Sequence, residues 1–128
     1  MVNKFKMVEC DDNYWEFVRT LRNNPEVQDG FIESGYISKE NQITYMQKNS
    51  SCFKVCLKNE VPVGYIGVIN NDIRICTLPK YQNQGAGSYM LMELKKIWPQ
   101  ADAKIKISNK ASRALFAKSG YSEEIVIM

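Results

Sequence analysis

Apolar residues recur along this chain with two periods, and the changes between them mark its elements. Phe5, Met7 and Val8 predict a first strand that ends near Cys10. Asp11 and Asp12 then stand where they can cap a helix carrying Tyr14, Trp15, Val18 and Leu21 on one face. Asn23-Asn24-Pro25 stops that helix. Residues 26–36 follow neither period and contain the breakers Gly30 and Gly35. Ser38 caps a second helix with Ile43 and Met46 inward.

The period then shortens. Phe53, Val55 and Leu57 alternate with Cys52, Lys54, Cys56 and Lys58, which predicts a strand with one polar face. After a turn over 59–62, the run from Val63 to Ile69 is apolar on both phases and predicts a more central strand. Asn70-Asn71-Asp72 is a second tight turn. Ile73 and Ile75 alternate again until Pro79. Beyond Gly85 and Gly87, Met90, Leu91, Leu94, Ile97 and Trp98 return to helical spacing. Ala103, Ile105 and Ile107 predict another strand. Ser108 or Asn109 caps a last helix with Ala111, Ala114 and Leu115 inward, Gly120 suits its C′ position, and Ile125, Val126 and Ile127 form a final strand. The predicted order is β-α-α-β-β-β-α-β-α-β.

The junction between the strand at Ile73 and the helix beyond Gly87 organises the rest. A helix start presents unpaired N–H groups together with the positive end of the helix dipole, and small residues let an anion approach them. The loop is a candidate cradle for phosphate or pyrophosphate. Glycine spacing alone fits a plain strand-to-helix turn equally well. No lysine follows the last glycine as a P-loop requires, and no third glycine completes a dinucleotide fingerprint.

Composition narrows the chemistry. The 128 residues suit one domain, here 1–128, with one core. The net charge of +3 is mild, and no basic stripe argues for nucleic acid. There is no histidine, which removes His-containing zinc sites, Ser-His-Asp triads and Cys-His dyads. The four cysteines, Cys10, Cys52, Cys56 and Cys76, form no C-x-x-C pair and read as buried small hydrophobes in a reducing compartment; no metal site is expected. Residues 1–6 contain no signal-peptide core, and no apolar run reaches the ~18 residues of a membrane span. The expectation is a soluble cytoplasmic protein with no membrane partner.

Gln82-Asn83-Gln84-Gly85-Ala86-Gly87 resembles the Gln/Arg-x-x-Gly-x-Gly/Ala signature of the GNAT superfamily of acetyl-CoA-dependent N-acetyltransferases. The resemblance extends upstream to Pro79 and Tyr81. Downstream, Asn109-Lys-Ala-Ser112-Arg-Ala-Leu-Phe116-Ala-Lys-Ser-Gly120-Tyr121 is similar to that family's second motif. The implied fold is α/β (α+β), a mixed and mostly antiparallel sheet flanked by helices. In that family the strand before the cofactor loop and the strand after the long helix splay apart, with acetyl-CoA in the wedge. Only one strand fits after Gly120, where such domains commonly have two. An unfinished edge invites pairing with another chain, so a homodimer is expected.

The resemblance also implies roles. Backbone amides of Asn83, Gln84, Gly85, Ala86, Gly87 and Ser88, with Gln82 leading in, would hold the pyrophosphate. Ile75, Cys76 and Thr77 would pair with the pantetheine arm. Asn109 matches a position that contacts the same arm, although a plain helix cap explains it too. Phe116 stands where many relatives carry a proton-donating tyrosine. Ser112, one turn earlier, is the substitute candidate, or else a solvated helix serine. Asp72 is the candidate base, or else a turn residue. Lys104 stands where some protein N-terminal acetyltransferases carry Glu, which points toward a small-molecule amine such as an amino sugar. The segment from Leu21 to Val27, with Ile37, Ser38 and Gln42, resembles the opening of the branch containing ribosomal-protein and amino-sugar nucleotide N-acetyltransferases, where the Arg-Asn-x-Pro part borders the acceptor; a helix C-terminus with Pro25 as breaker explains the same residues. The alternatives are a non-catalytic acyl-CoA-binding module and a protein N-terminal acetyltransferase.

Overall fold

The computed structural model of the chain describes residues 4–28, 35–101, 103–106, 109–120 and 123–126. Four strands, β1 (Phe5–Glu9), β2 (Phe53–Lys58), β3 (Val61–Ile69) and β4 (Asp72–Thr77), form an antiparallel sheet in the order β1-β2-β3-β4. The β2–β3 and β3–β4 hairpins turn on Asn59-Glu60 and Asn70-Asn71, all four with positive φ. Two-residue hairpin loops with that geometry match the twist of the strands they join. Pro62, expected in the turn, lies inside β3. The register passes from Cys56↔Gly64 to Leu57↔Pro62, leaving Val63 as the extra residue of a bulge. That bulge is where a strand tolerates a residue with no N–H.

Both sheet faces are covered. On one, α1 (Trp15–Arg22), the one-turn α2 (Pro25–Gln28) and α3 (Lys39–Asn49) bury Val18, Leu21, Val27 and Met46 against Phe53, Val55, Leu57, Tyr65 and Cys76. On the other, α4 (Ala86–Ile97) buries Met90, Leu91 and Leu94 against Cys56, Val63, Ile66 and Ile73. The expected polar face of β2 is therefore confined to Lys54 and Lys58, because α4 covers Cys56.

The chain closes with β5 (Ala103–Lys106), α5 (Lys110–Lys118) and β6 (Glu123–Val126). β5 and β6 pair in parallel as a separate small sheet. β5 comes near β4 without hydrogen-bonding to it, so β4 pairs only with β3 among the described residues. This is the expected splay. β6 is the one strand after α5 among the described residues, and Ile107, Ser108, Tyr121 and Ile127 lie outside them.

Local expectations fail where a neighbour overrides pattern. Asp11 does not cap α1. Its side chain accepts from the Asn13 N–H at 3.0 Å, and Tyr14 occupies the cap position with no side-chain bond. Pro25 starts a helical turn as well as ending α1, with the Asn24 side chain accepting from the Glu26 N–H at 2.8 Å. Asn23 is a clamp: its amide exchanges bonds of 2.8 and 2.9 Å with the Ile37 backbone. Ser38 caps α3 as expected, accepting from Asn41 N–H. Ile43, however, is 47% exposed, and Gln42 is buried in its place. Gln42 Nε2 donates to the Trp15 carbonyl at 2.9 Å, which meets the cost of burying an amide. α5 turns Phe116 into the α4 core, while Ala111 and Ala114 stay exposed.

Candidate functional site

A groove of about 780 Å³ opens along the outer edge of β4. Ile75, Cys76 and Thr77 supply its strand side. The chain then enters a 3-10 turn at Pro79–Tyr81, and the Gln82 amide donates back to the Thr77 carbonyl at 3.2 Å. Asn83 takes φ +63° and Gly85 φ +96°, and the two left-handed residues fold the loop tightly ahead of α4. Gln82, Asn83, Gly85, Gly87 and Ser88 all line the groove. Gln84 turns away from it: its carbonyl oxygen accepts from Lys58 Nζ, and its amide donates to the Lys80 carbonyl at 3.2 Å. Ala86 is buried in the core.

α5 forms a wall. Asn109 caps it, accepting from the Ser112 N–H at 3.2 Å, and both residues line the groove. Ala111, Ala114, Leu115 and Lys118 continue the same face. Their spacing was visible in the sequence as a helical stripe, but the stripe faces this groove, where small side chains leave room. Gly87 lies close to α5: a Cβ there would stand 2.8 Å from Leu115 Cδ2, the movable end of that side chain.

Two further sequence candidates, besides Gln84 and Ala86, are placed elsewhere. Phe116 is 2% exposed within the core, and Ala86, Met90, Leu91 and Leu94 belong to the same cluster. Asp72 lies at the far end of β4, outside the groove lining, with its carboxylate 2.9 Å from Arg74 Nε. The groove instead recruits Glu26 and Val27 of α2. The signal for α2 was Asn24-Pro25-Glu26, an N-cap followed by proline at the first helical position.

The loop ahead of α4 suits an anionic group. The first N–H groups of α4 have no partner within the helix. At Gly85 a Cβ would meet only the Phe5 ring, at 3.7 Å, so the loop is open in front of those groups. This is a concave donor set for a diphosphate, and Lys118 adds a cation to the lining. Burial pushes the Cys76 thiol up to about 12, with the Arg22 charge pulling weakly the other way. That thiol stays protonated at neutral pH and is a poor nucleophile. Among the described residues there is no group of three or more His, Cys, Asp or Glu side chains that could hold a metal, and no helix is long and apolar enough to cross a membrane.

Comparison with known proteins agrees with this geometry. The chain is similar in structure to the spermidine N-acetyltransferase of Vibrio cholerae in complex with CoA and spermine. The TM-score is 0.80 at 15% identity, over 94% of this chain and 82% of that one. It is similar to RimL, a ribosomal L7/L12 alpha-N-protein acetyltransferase in complex with coenzyme A, with TM-score 0.74 at 16% identity over 91% and 78% of the two chains. Aminoglycoside N-acetyltransferase AAC(6′)-Iy in complex with CoA gives 0.71 at 13% identity, over 100% and 95%. Such identities show the shared fold. No curated protein matches the sequence. The sequence pattern of the Acetyltransferase (GNAT) family matches residues 11–121. With its two motifs brought to one groove, the chain belongs to the GNAT acetyltransferase family.

Proposed function

We propose that this protein transfers an acetyl group from acetyl-CoA to the primary amine of a small molecule, both substrates being held together in the groove. One observation carries the reading: the groove runs around the edge of β4 that pairs with no strand among the described residues, lined by α5 from one sheet face and by α2 from the other. Two ligands approaching from opposite faces meet at Ile75–Thr77. Acetyl-CoA supplies an acyl group already activated as a thioester. Asn83 to Ser88 hold its diphosphate through backbone N–H groups, Asn109 and Ser112 border the arm, and Lys118 contributes charge. The protonated Cys76 thiol favours direct attack by the amine over an acyl-enzyme route. Lys104, in place of the Glu of peptide-type enzymes, supports a small acceptor.

Calorimetric titration with acetyl-CoA, repeated with CoA, tests the first half of this reading. Binding of both is expected, and binding of neither sinks it. Thiol release from acetyl-CoA across a panel of diamines, amino sugars and amino-terminal peptides tests the second half. A second reading is favoured by the burial of Phe116 and by the pairing of Asp72 outside the groove: an acyl-CoA-binding module without turnover. Tight binding with no thiol release from any amine selects it.

A further inference from the structure

We propose that Glu26 selects the acceptor, its carboxylate holding an ammonium group of an amine that carries a second positive charge. This inference rests on the preceding reading of the groove as a two-substrate site.

The argument starts from charge. Among the described residues lining the groove, Glu26 is the one carboxylate and Lys118 the one cation. They stand on different sides of the sheet. Lys118 belongs to α5, whose Leu115 and Phe116 pack with the α4 core. Glu26 belongs to α2, whose Val27 is 7% exposed and packs in the opposite core with Cys76 and Leu78. The anionic, phosphate-bearing substrate is drawn to the loop and to α5. A carboxylate on the other side repels that substrate and attracts a cation.

Glu26 is also well placed by its local structure. Pro25 sets the backbone for the turn, the Asn24 side chain accepts from the Glu26 N–H at 2.8 Å, and the Asn24 carbonyl accepts from the Val27 N–H at 3.0 Å. Buried Val27 anchors the turn beside Cys76. The Glu26 side chain is exposed and has no ion-pair partner among the described residues.

The chemistry then identifies the acceptor class. The attacking nitrogen needs a free electron pair. A carboxylate beside an amine favours its protonated form instead. The group that Glu26 holds is therefore a second ammonium, and the nitrogen that attacks at β4 is another one on the same molecule. Diamines and longer polycationic amines meet this requirement; a monoamine or an acidic acceptor does not.

The test is a pair of calorimetric titrations, 1,4-diaminobutane against butylamine, into the CoA-saturated protein and again into the ligand-free protein. The wild-type protein is expected to prefer the diamine by roughly tenfold, the scale of one charge-assisted contact. Glu26→Gln is expected to abolish that preference while its affinity for CoA stays unchanged, which also reports that the variant is folded. In steady state the same variant should raise KM for the diamine with little change in kcat. Equal binding of the two amines by the wild type overturns the proposal without any variant. So does a preference that survives Glu26→Gln. A wild-type protein that binds neither acetyl-CoA nor CoA refutes the two-substrate reading separately, and the ligand-free titration then still decides whether Glu26 selects dications.

Discussion

At the scale of single residues, the glycines show how differently one residue type is used. Gly64 is demanded by the sheet: a Cβ there would lie 2.6 Å from the Cys76 carbonyl oxygen, in backbone that cannot easily yield. Gly87 meets only the Leu115 side chain, whose tip can shift, so a small side chain there costs little. Gly85 is demanded by its own left-handed φ of +96°, with open space around it. Gly85→Glu therefore has two separable effects. It places a carboxylate at the diphosphate cradle, and calorimetry is expected to show loss of acetyl-CoA binding. It also forces an L-residue into left-handed backbone, at about 1–2 kcal/mol, which a thermal melt should register as a modest loss of stability. Retained micromolar binding of acetyl-CoA would refute the cradle.

At the scale of elements, α5 is the piece whose placement matters most for the site. Its start depends on the Asn109 side chain, which accepts from the Ser112 N–H. Its end depends on Gly120 at φ +78° and on Lys95 Nζ of α4, which donates to the Gly120 carbonyl at 2.8 Å. Asn109→Ala removes the first of these. A lost N-cap costs ~1 kcal/mol, and the first turn, which carries Ser112 into the groove, frays. We expect acetyl-CoA affinity to fall several-fold while the midpoint of chemical denaturation moves only slightly. An unchanged affinity would mean that α5 positions nothing in the groove. Element existence was legible beforehand because propensity and capping act within one or two turns of chain. The bulge at Val63 was not, since it depends on how β2 registers against β3.

At the scale of the whole molecule, two cores on opposite sheet faces set the response to alkali. Burial pushes the Cys10 and Cys56 thiols up to about 11 and the Cys76 thiol to about 12, from an ordinary 9.0. At Cys10 the negative charges of Asp11 and Glu9 add to the rise. The folded protein therefore keeps these protons at pH values where the unfolded chain has released them. With fewer protons bound in the unfolded state, stability falls as pH rises. The decline should begin near pH 9 and continue to about pH 12, and urea midpoints across that range would show it. A flat profile would place these thiols in water. Replacing Cys56 by Ala should flatten part of the slope, because burial raises its thiol.

The sequence by itself determined the elements other than α2, their order and the glycine loop, because alternation, helical stripes, caps and turn residues act over a few neighbouring positions. It also carried the pairing of the loop with the Asn109 helix, through two motifs whose side chains recur in a known family. Only the tertiary structure decided which stripe met which neighbour. Gln42 is buried and Ile43 exposed because the Trp15 carbonyl offers the amide a partner. Phe116 entered the core while Ala111 and Ala114 were left to the groove. Glu26 reached the site because Val27 packs beside Cys76, about fifty residues further along the chain. Periodicity states that one face of an element is covered. What covers it is supplied by residues distant in sequence, and that contact exists only once the chain has folded.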